Sequence, residues 1–221
     1  MPRSQASITW WKAVSVYGDR RVIAIALLGF SAGLPYLLVF STLTAWLRDE
    51  DVSRSAIGFF AWVGITYSVK VLWAPIVDRL PIYYLTPRLG QRRSWILLAQ
   101  IGISCGLFTM SVIGPTNLLL LSLVALCVAF FSATQDIAID AYRIEAAIDE
   151  YQGAMAASYI FGYRLALLFA GAGCLYFAEF LGWTLSYQIM AASLLIGVFT
   201  VFLVSEPKKD DSKFNLEAEK H

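Results

Sequence analysis

Histidine is all but absent from this sequence: the single copy is His221. That leaves no imidazole to serve as base to a nucleophile within the folded part of the chain. Cysteine is scarce as well. Cys105, Cys127 and Cys174 are an odd set without C-x-x-C spacing, and each lies in an apolar run. This excludes a disulfide framework and a zinc site, and the three read as small buried hydrophobes. There is no G-x-x-x-x-G-K-[ST] phosphate loop and no H-E-x-x-H pair. Residues 29–33, GFSAG, match the G-x-S-x-G pattern of hydrolases, but a long apolar run surrounds them where a strand–turn–helix is required. Aspartyl chemistry inside a membrane needs carboxylates from two helices, and Asp136 and Asp140 fall on one. No enzyme, metal or cofactor is expected. Charge is the last shortage. Only 15% of residues are Asp, Glu, Lys or Arg, with a net charge of +1, so no field gathers a polyanion and nucleic acid is not an expected partner.

Apolar residues fill the space. They make up 58% of the 221 residues, against about 45–50% in soluble domains, and the mean hydropathy is +0.64. A bilayer core about 30 Å thick takes roughly 20 apolar residues as a helix. Six stretches satisfy this: 22–47, 57–77, 94–113, 118–139, 153–177 and 183–204. The expectation is an all-α membrane protein of six transmembrane helices over 22–204. An N-terminal arm covers 1–21, and a charged, disordered tail covers 205–221. The arm carries Trp10, Trp11 and Lys12, which suit an interfacial anchor. The first run is too long for the core of a cleaved signal peptide and lacks an A-x-A site.

Basic residues predict the orientation. Arg3, Lys12, Arg20 and Arg21 precede the first span, and Arg79, Arg88, Arg92 and Arg93 follow the second. Arg143 follows the fourth, and Lys208, Lys209, Lys213 and Lys220 follow the sixth. The opposite connections hold Arg48 and Arg54 alone. Positive charge favours the cytoplasm, so both termini are expected there. Gly29 with Gly33, Gly102 with Gly106, and Gly162, Gly171 and Gly173 offer sites for close helix approach. Pro35 and Pro75 are expected to kink or end their helices.

The informative residues are charges at membrane depth, where each costs at least about 2.5–3.5 kcal/mol on insertion scales. They are Lys70 in the second span, Asp136 and Asp140 with Arg143 in the fourth, and Arg164 in the fifth. At 100° per residue, Ser132, Asp136, Asp140 and Arg143 share a face about 80° wide. Lys70 and Arg164 from neighbouring helices balance the two acids. The set reads either as a packing network that fixes helix register or as a polar pathway for substrate or protons. Tyr36, Trp62 and Tyr67, with Ser132 and Gln135, are the candidates to line a substrate cavity. A second constellation, Asp78-Arg79 followed by Gly90-Gln91-Arg92-Arg93, joins an acid at a helix end to a basic cluster. It reads as topology-setting charge or as salt bridges that open and close with helix movement.

These residues resemble a known family. D-R followed by G-x-R-R looks like the signature loop of the major facilitator superfamily, with an insertion. More specifically, GFSAGLPYLLVFSTLTAWL (29–47), VKVLWAPIVDR (69–79), LGQRRSW (89–95) and ATQDIAIDAYRIE (133–145) resemble muropeptide permeases of the AmpG type. The resemblance runs from about Val22 to Pro207. It implies proton-driven import of N-acetylglucosaminyl-1,6-anhydro-N-acetylmuramyl peptides through the bacterial inner membrane during cell-wall recycling. From the residues themselves, the candidates for transport or proton coupling are Asp136, Asp140, Lys70, Arg164 and Arg143, and those for a conformational-switch loop are Asp78, Arg79, Gly90, Arg92 and Arg93. Acetyl-CoA transporters of the same superfamily share parts of these motifs. Family members have two six-helix halves with substrate between them near the midplane, and this sequence corresponds to the N-terminal half. The resemblance therefore implies a half bundle that works with a second half. The rival reading is a non-transporting half kept as an assembly subunit.

Overall fold

The computed structural model describes residues 15–146 and 151–207. The remainder of the expected arm (1–14) and tail (208–221) lies outside the described residues. Among the described residues, six helices are long and apolar enough to cross a membrane: α1 (Arg20–Asp49), α2 (Arg54–Leu72), α3 (Gln91–Thr116), α4 (Leu118–Ala146), α5 (Gln152–Leu181) and α6 (Trp183–Leu203). There is no strand among the described residues. The six apolar runs read from the sequence each lie in one of these spans, with ends moved by a few residues.

α1 is the organising element. It lies along α5 over its whole first segment and also meets α4 and α6, while α3 pairs with α4 and α6. α2 packs chiefly on α4 and is the least buried span. The α1–α5 seam is backbone against backbone. A Cβ at Gly29 or Gly33 would strike the carbonyls of Tyr159 or Tyr163, and one at Gly162 would strike the Ala26 carbonyl. The small-residue spacing thus removes the side chains that would hold the two helices apart. Gly102 and Gly106 do the same between α3 and α4, against Phe131 and Val128.

The two prolines behave differently from each other. α1 runs unbroken through Pro35, and its interruption falls at Phe40, with φ −116° and ψ −97°. The backbone is held on either side of the proline. Gly33 is sealed against Tyr163, and Thr42 Oγ1 donates to the Ala170 carbonyl at 2.9 Å, within a π-helical turn of α5. Phe40 instead supplies a ring to an aromatic group with Tyr36 and Tyr67. At Pro75 the expected interruption forms: α2 ends at Leu72, a turn follows at Trp73, and Pro75 stands in the first turn of a new short helix, Ala74–Arg79. α2 itself is segmented, with 3₁₀ turns at Phe60–Gly64 and Lys70–Leu72.

The start of the expected disordered tail is docked. Tyr142 donates to the Ser205 carbonyl at 3.0 Å, and the Glu206 carboxylate accepts from the backbone N–H groups of Arg92 and Arg93. The first-turn amides of α3 have no intrahelical acceptor, and a carboxylate there satisfies them.

Candidate transport site

α4 carries the ATQDIAIDAYR segment as regular helix, which turns Asp136 toward α2. Asp136 Oδ2 lies 3.8 Å from Lys70 Nζ, with the two side chains 17% and 34% exposed. Lys70 is set by the 3₁₀ turn it opens and by the next anchor along the chain. Trp73 Nε1 donates to Thr134 Oγ1 at 3.2 Å, and its ring packs on Phe130. Asp136 Oδ1 is buried without a hydrogen-bond partner. Phenols surround the pair. The Tyr67 hydroxyl approaches Ser132 without a well-formed hydrogen bond. Tyr36 meets Tyr67 edge-on at 5.8 Å, and Tyr163 and Tyr159 of α5 lie within electrostatic reach of Asp136.

The expected balance of two acids by Lys70 and Arg164 does not form. Asp140 pairs with Arg143 of its own helix at 3.5 Å, and that guanidinium lies over the Tyr159 ring at 5.6 Å. Arg164 is exposed and makes no ion pair among the described residues. Two cavity candidates also stand elsewhere. Gln135 is fully buried and points into the bundle, where its Nε2 and that of Gln100 both donate to Ser31 Oγ at 3.1 Å. One residue from Asp136 is a rotation of 100°, enough to move Gln135 from the α2 side to the α1 side. Trp62 is 68% exposed and lines an apolar groove between α2 and α4 with Phe59, Leu123 and Phe130, apart from Tyr36 and Tyr67.

The second constellation assembles around Arg92, which is 8% exposed. Its Nη1 donates to Asp78 Oδ1 at 2.7 Å, and its Nε and Nη2 hold the Glu145 carboxylate at 2.7–3.1 Å. The fork geometry of a guanidinium is what permits two acids on one cation. Gln91 Nε2 donates to the Asp78 carbonyl, and Arg93 Nε to the Val201 carbonyl at 2.8 Å. Gly90 has φ +90°, and a Cβ there would strike the Glu206 side chain. Arg79 is exposed and lies outside the network. One junction therefore ties the short helix Ala74–Arg79 to the ends of α3, α4 and α6. Glu145 and Glu206 were not singled out from the sequence. Glu145 stands nine residues beyond Asp136, half a turn round the helix, and that offset is the signal for an acid aimed at a different neighbour. Tyr159 and Tyr163 at i,i+4 on α5 were also missed.

Sequence comparisons bear directly on this arrangement. The chain is 36% identical over 198 residues to putative transporter AmpG 4 of Rickettsia felis, which is 88% of this chain and 47% of that protein. It is 38% identical over 194 residues to the anhydromuropeptide permease of Escherichia coli K12, 87% of this chain and 39% of that one. The chain is a homologue of the AmpG-type permeases. A family described as acetyl-coenzyme A transporter 1 also matches, over residues 22–114. The chain spans about half the length of the curated relatives it matches, or somewhat less. With six apolar spans and permease relatives, this AmpG homologue is a multi-pass membrane protein.

Proposed function

We propose that this chain forms one six-helix half of a proton-coupled transporter that imports anhydro-muropeptides through the bacterial inner membrane. The end carrying Arg92 and Glu206 faces the cytoplasm in this reading, in accord with the excess of arginine there. The observation that carries the proposal is the Lys70–Asp136 pair, part-buried among tyrosines from three helices and left with one unsatisfied carboxylate oxygen. A structural ion pair is favoured when both partners are fully hydrogen-bonded, and this one is not. Protonation of Asp136 removes its charge and frees Lys70. A substrate carboxylate competing for Lys70 has the same effect from the other side, and this links the two cargoes. The phenol rings of Tyr36, Tyr67 and Tyr163 offer flat faces for sugar rings. Arg164, which makes no ion pair among the described residues, adds a positive charge suited to peptide carboxylates. The Arg92 junction serves as the cytoplasmic latch, since it holds four helix ends through contacts that separate when one helix tilts.

The test is uptake of labelled anhydro-muropeptide by inner-membrane vesicles carrying this chain with a second six-helix half. Asp136→Asn is expected to abolish accumulation driven by a proton gradient while the protein still inserts. Unchanged gradient dependence removes Asp136 from coupling. The chain reconstituted alone is expected to accumulate nothing. The acetyl-coenzyme A transporter match over 22–114 favours a second reading, export or import of an acetyl-CoA-like substrate. Competition by acetyl-CoA without competition by muropeptide decides for it.

A further inference from the structure

The connection between α2 and α3 displays a feature that neither the ion pairs nor the cavity uses. Tyr83 and Tyr84 are 81% and 80% exposed, in edge-to-face contact at 5.0 Å, and Leu80 beside them is 53% exposed. Arg79 and Arg88 flank this patch. Both are exposed, and neither makes an ion pair among the described residues. The segment is built to hold its shape. Ile82 N–H donates to Thr86 Oγ1 at 2.8 Å, the Ile82 carbonyl accepts from Leu85 and Thr86, and Trp95 Nε1 donates to the Leu80 carbonyl at 2.9 Å.

We propose that residues 79–88 are a lipid-docking latch: the two tyrosines and Leu80 enter the headgroup zone, and Arg79 and Arg88 bind the phosphates of anionic phospholipids. Position supports this occupant, because the segment begins seven residues after one span ends and closes three before the next begins. Its depth is therefore that of the membrane–water boundary. Tyrosine prefers that boundary, where the ring is apolar and the hydroxyl is hydrated. Two guanidiniums beside it, without an ion pair among the described residues, complement a negative surface, each adding roughly fivefold to affinity for anionic lipid. The fixed turn means that little ordering entropy is lost on docking. The inference needs only the spans in a bilayer, so it stands or falls independently of any transported substrate.

The test places a fluorophore at the patch. Tyr84→Trp in the full chain, reconstituted in nanodiscs, is compared with the parent protein, whose own seven tryptophans give the background. Nanodiscs contain phosphatidylcholine with or without 30% phosphatidylglycerol, and the brominated lipid is either one or the other. Quenching of the added indole is expected to be stronger by brominated phosphatidylglycerol than by brominated phosphatidylcholine. Arg79→Gln with Arg88→Gln is expected to erase that preference while leaving some quenching. Equal quenching by both lipids in the Tyr84→Trp protein overturns recognition of anionic headgroups. Emission at the wavelength of a hydrated indole, quenched by iodide and not by bromine, overturns the docking itself. A protein partner over the patch, shielded from iodide and bromine alike, overturns it too. Tyr83→Trp repeats the measurement from the adjacent position.

Discussion

Arg92 and Glu145 meet across the contact of α3 with α4 through two nitrogens of one guanidinium, and the third nitrogen reaches Asp78 at 2.7 Å. The cation is shared between two acids that come from different helices. Arg92→Lys keeps the charge and loses the fork. We expect it to destabilise the bundle by about 1.5–3 kcal/mol, the range for hydrogen bonds to charged groups. Unfolding of purified protein by a denaturing detergent measures this. Stability equal to the parent would show that the junction is not held by geometry.

The Lys70–Asp136 pair is expected to couple. Lys70→Met and Asp136→Asn each leave a charge in a poor environment, whereas the double variant leaves none. A double-mutant cycle is expected to give an interaction of about 1 kcal/mol, toward the low end because Lys70 is about one-third exposed. Strict additivity would mean that the two side chains act independently.

Gly162→Ala places a Cβ against the Ala26 carbonyl and the Phe30 amide, atoms that cannot swing aside. A loss of roughly 2 kcal/mol or more is expected, comparable to overpacking a core. Gly153→Ala serves as the control. Among the described residues, nothing outside its own helix backbone and chain neighbours lies within 4 Å of its added Cβ, and an exposed helical glycine replaced by alanine gains about 0.4–1 kcal/mol. Equal effects at the two sites would dismiss the seam as a close contact.

Orientation is tested by thiol labelling in a background lacking Cys105, Cys127 and Cys174. Asp51→Cys is expected to react with an impermeant reagent added from outside intact cells, and Pro87→Cys only after the membrane is opened. The reverse pattern would invert the protein.

The spans were legible because lipid imposes a crude requirement, about twenty apolar residues, that composition alone reveals. The partners were less so. A helical wheel states that Asp136 and Asp140 share a face, but it does not state which neighbour that face meets. Asp136 reaches Lys70, while Asp140, one turn on, stays with Arg143. Arg164 was assigned to the same balance from its depth alone, and it makes no ion pair among the described residues. Asp78 with a nearby arginine was readable from the loop spacing. Glu145 and Glu206 were not, because their approach to Arg92 depends on how α4 and α6 end relative to α3. The break at Phe40 had no signal in the letters, since Pro35 drew attention one turn too early.

The composite build of α2 has a mechanical consequence. A residue in a 3₁₀ turn advances about 2.0 Å along the axis, against about 1.5 Å in an α-helix. The two 3₁₀ stretches of α2 hold five and three residues. Rewinding all of them to α geometry would shorten the helix by about 4 Å. Such an element works as a telescoping rod: a change of pitch draws one end toward the other along the axis, with no tilt needed. Lys70 sits in the second of these stretches, so a change of pitch there would slide its ammonium along Asp136 without swinging the rest of the bundle.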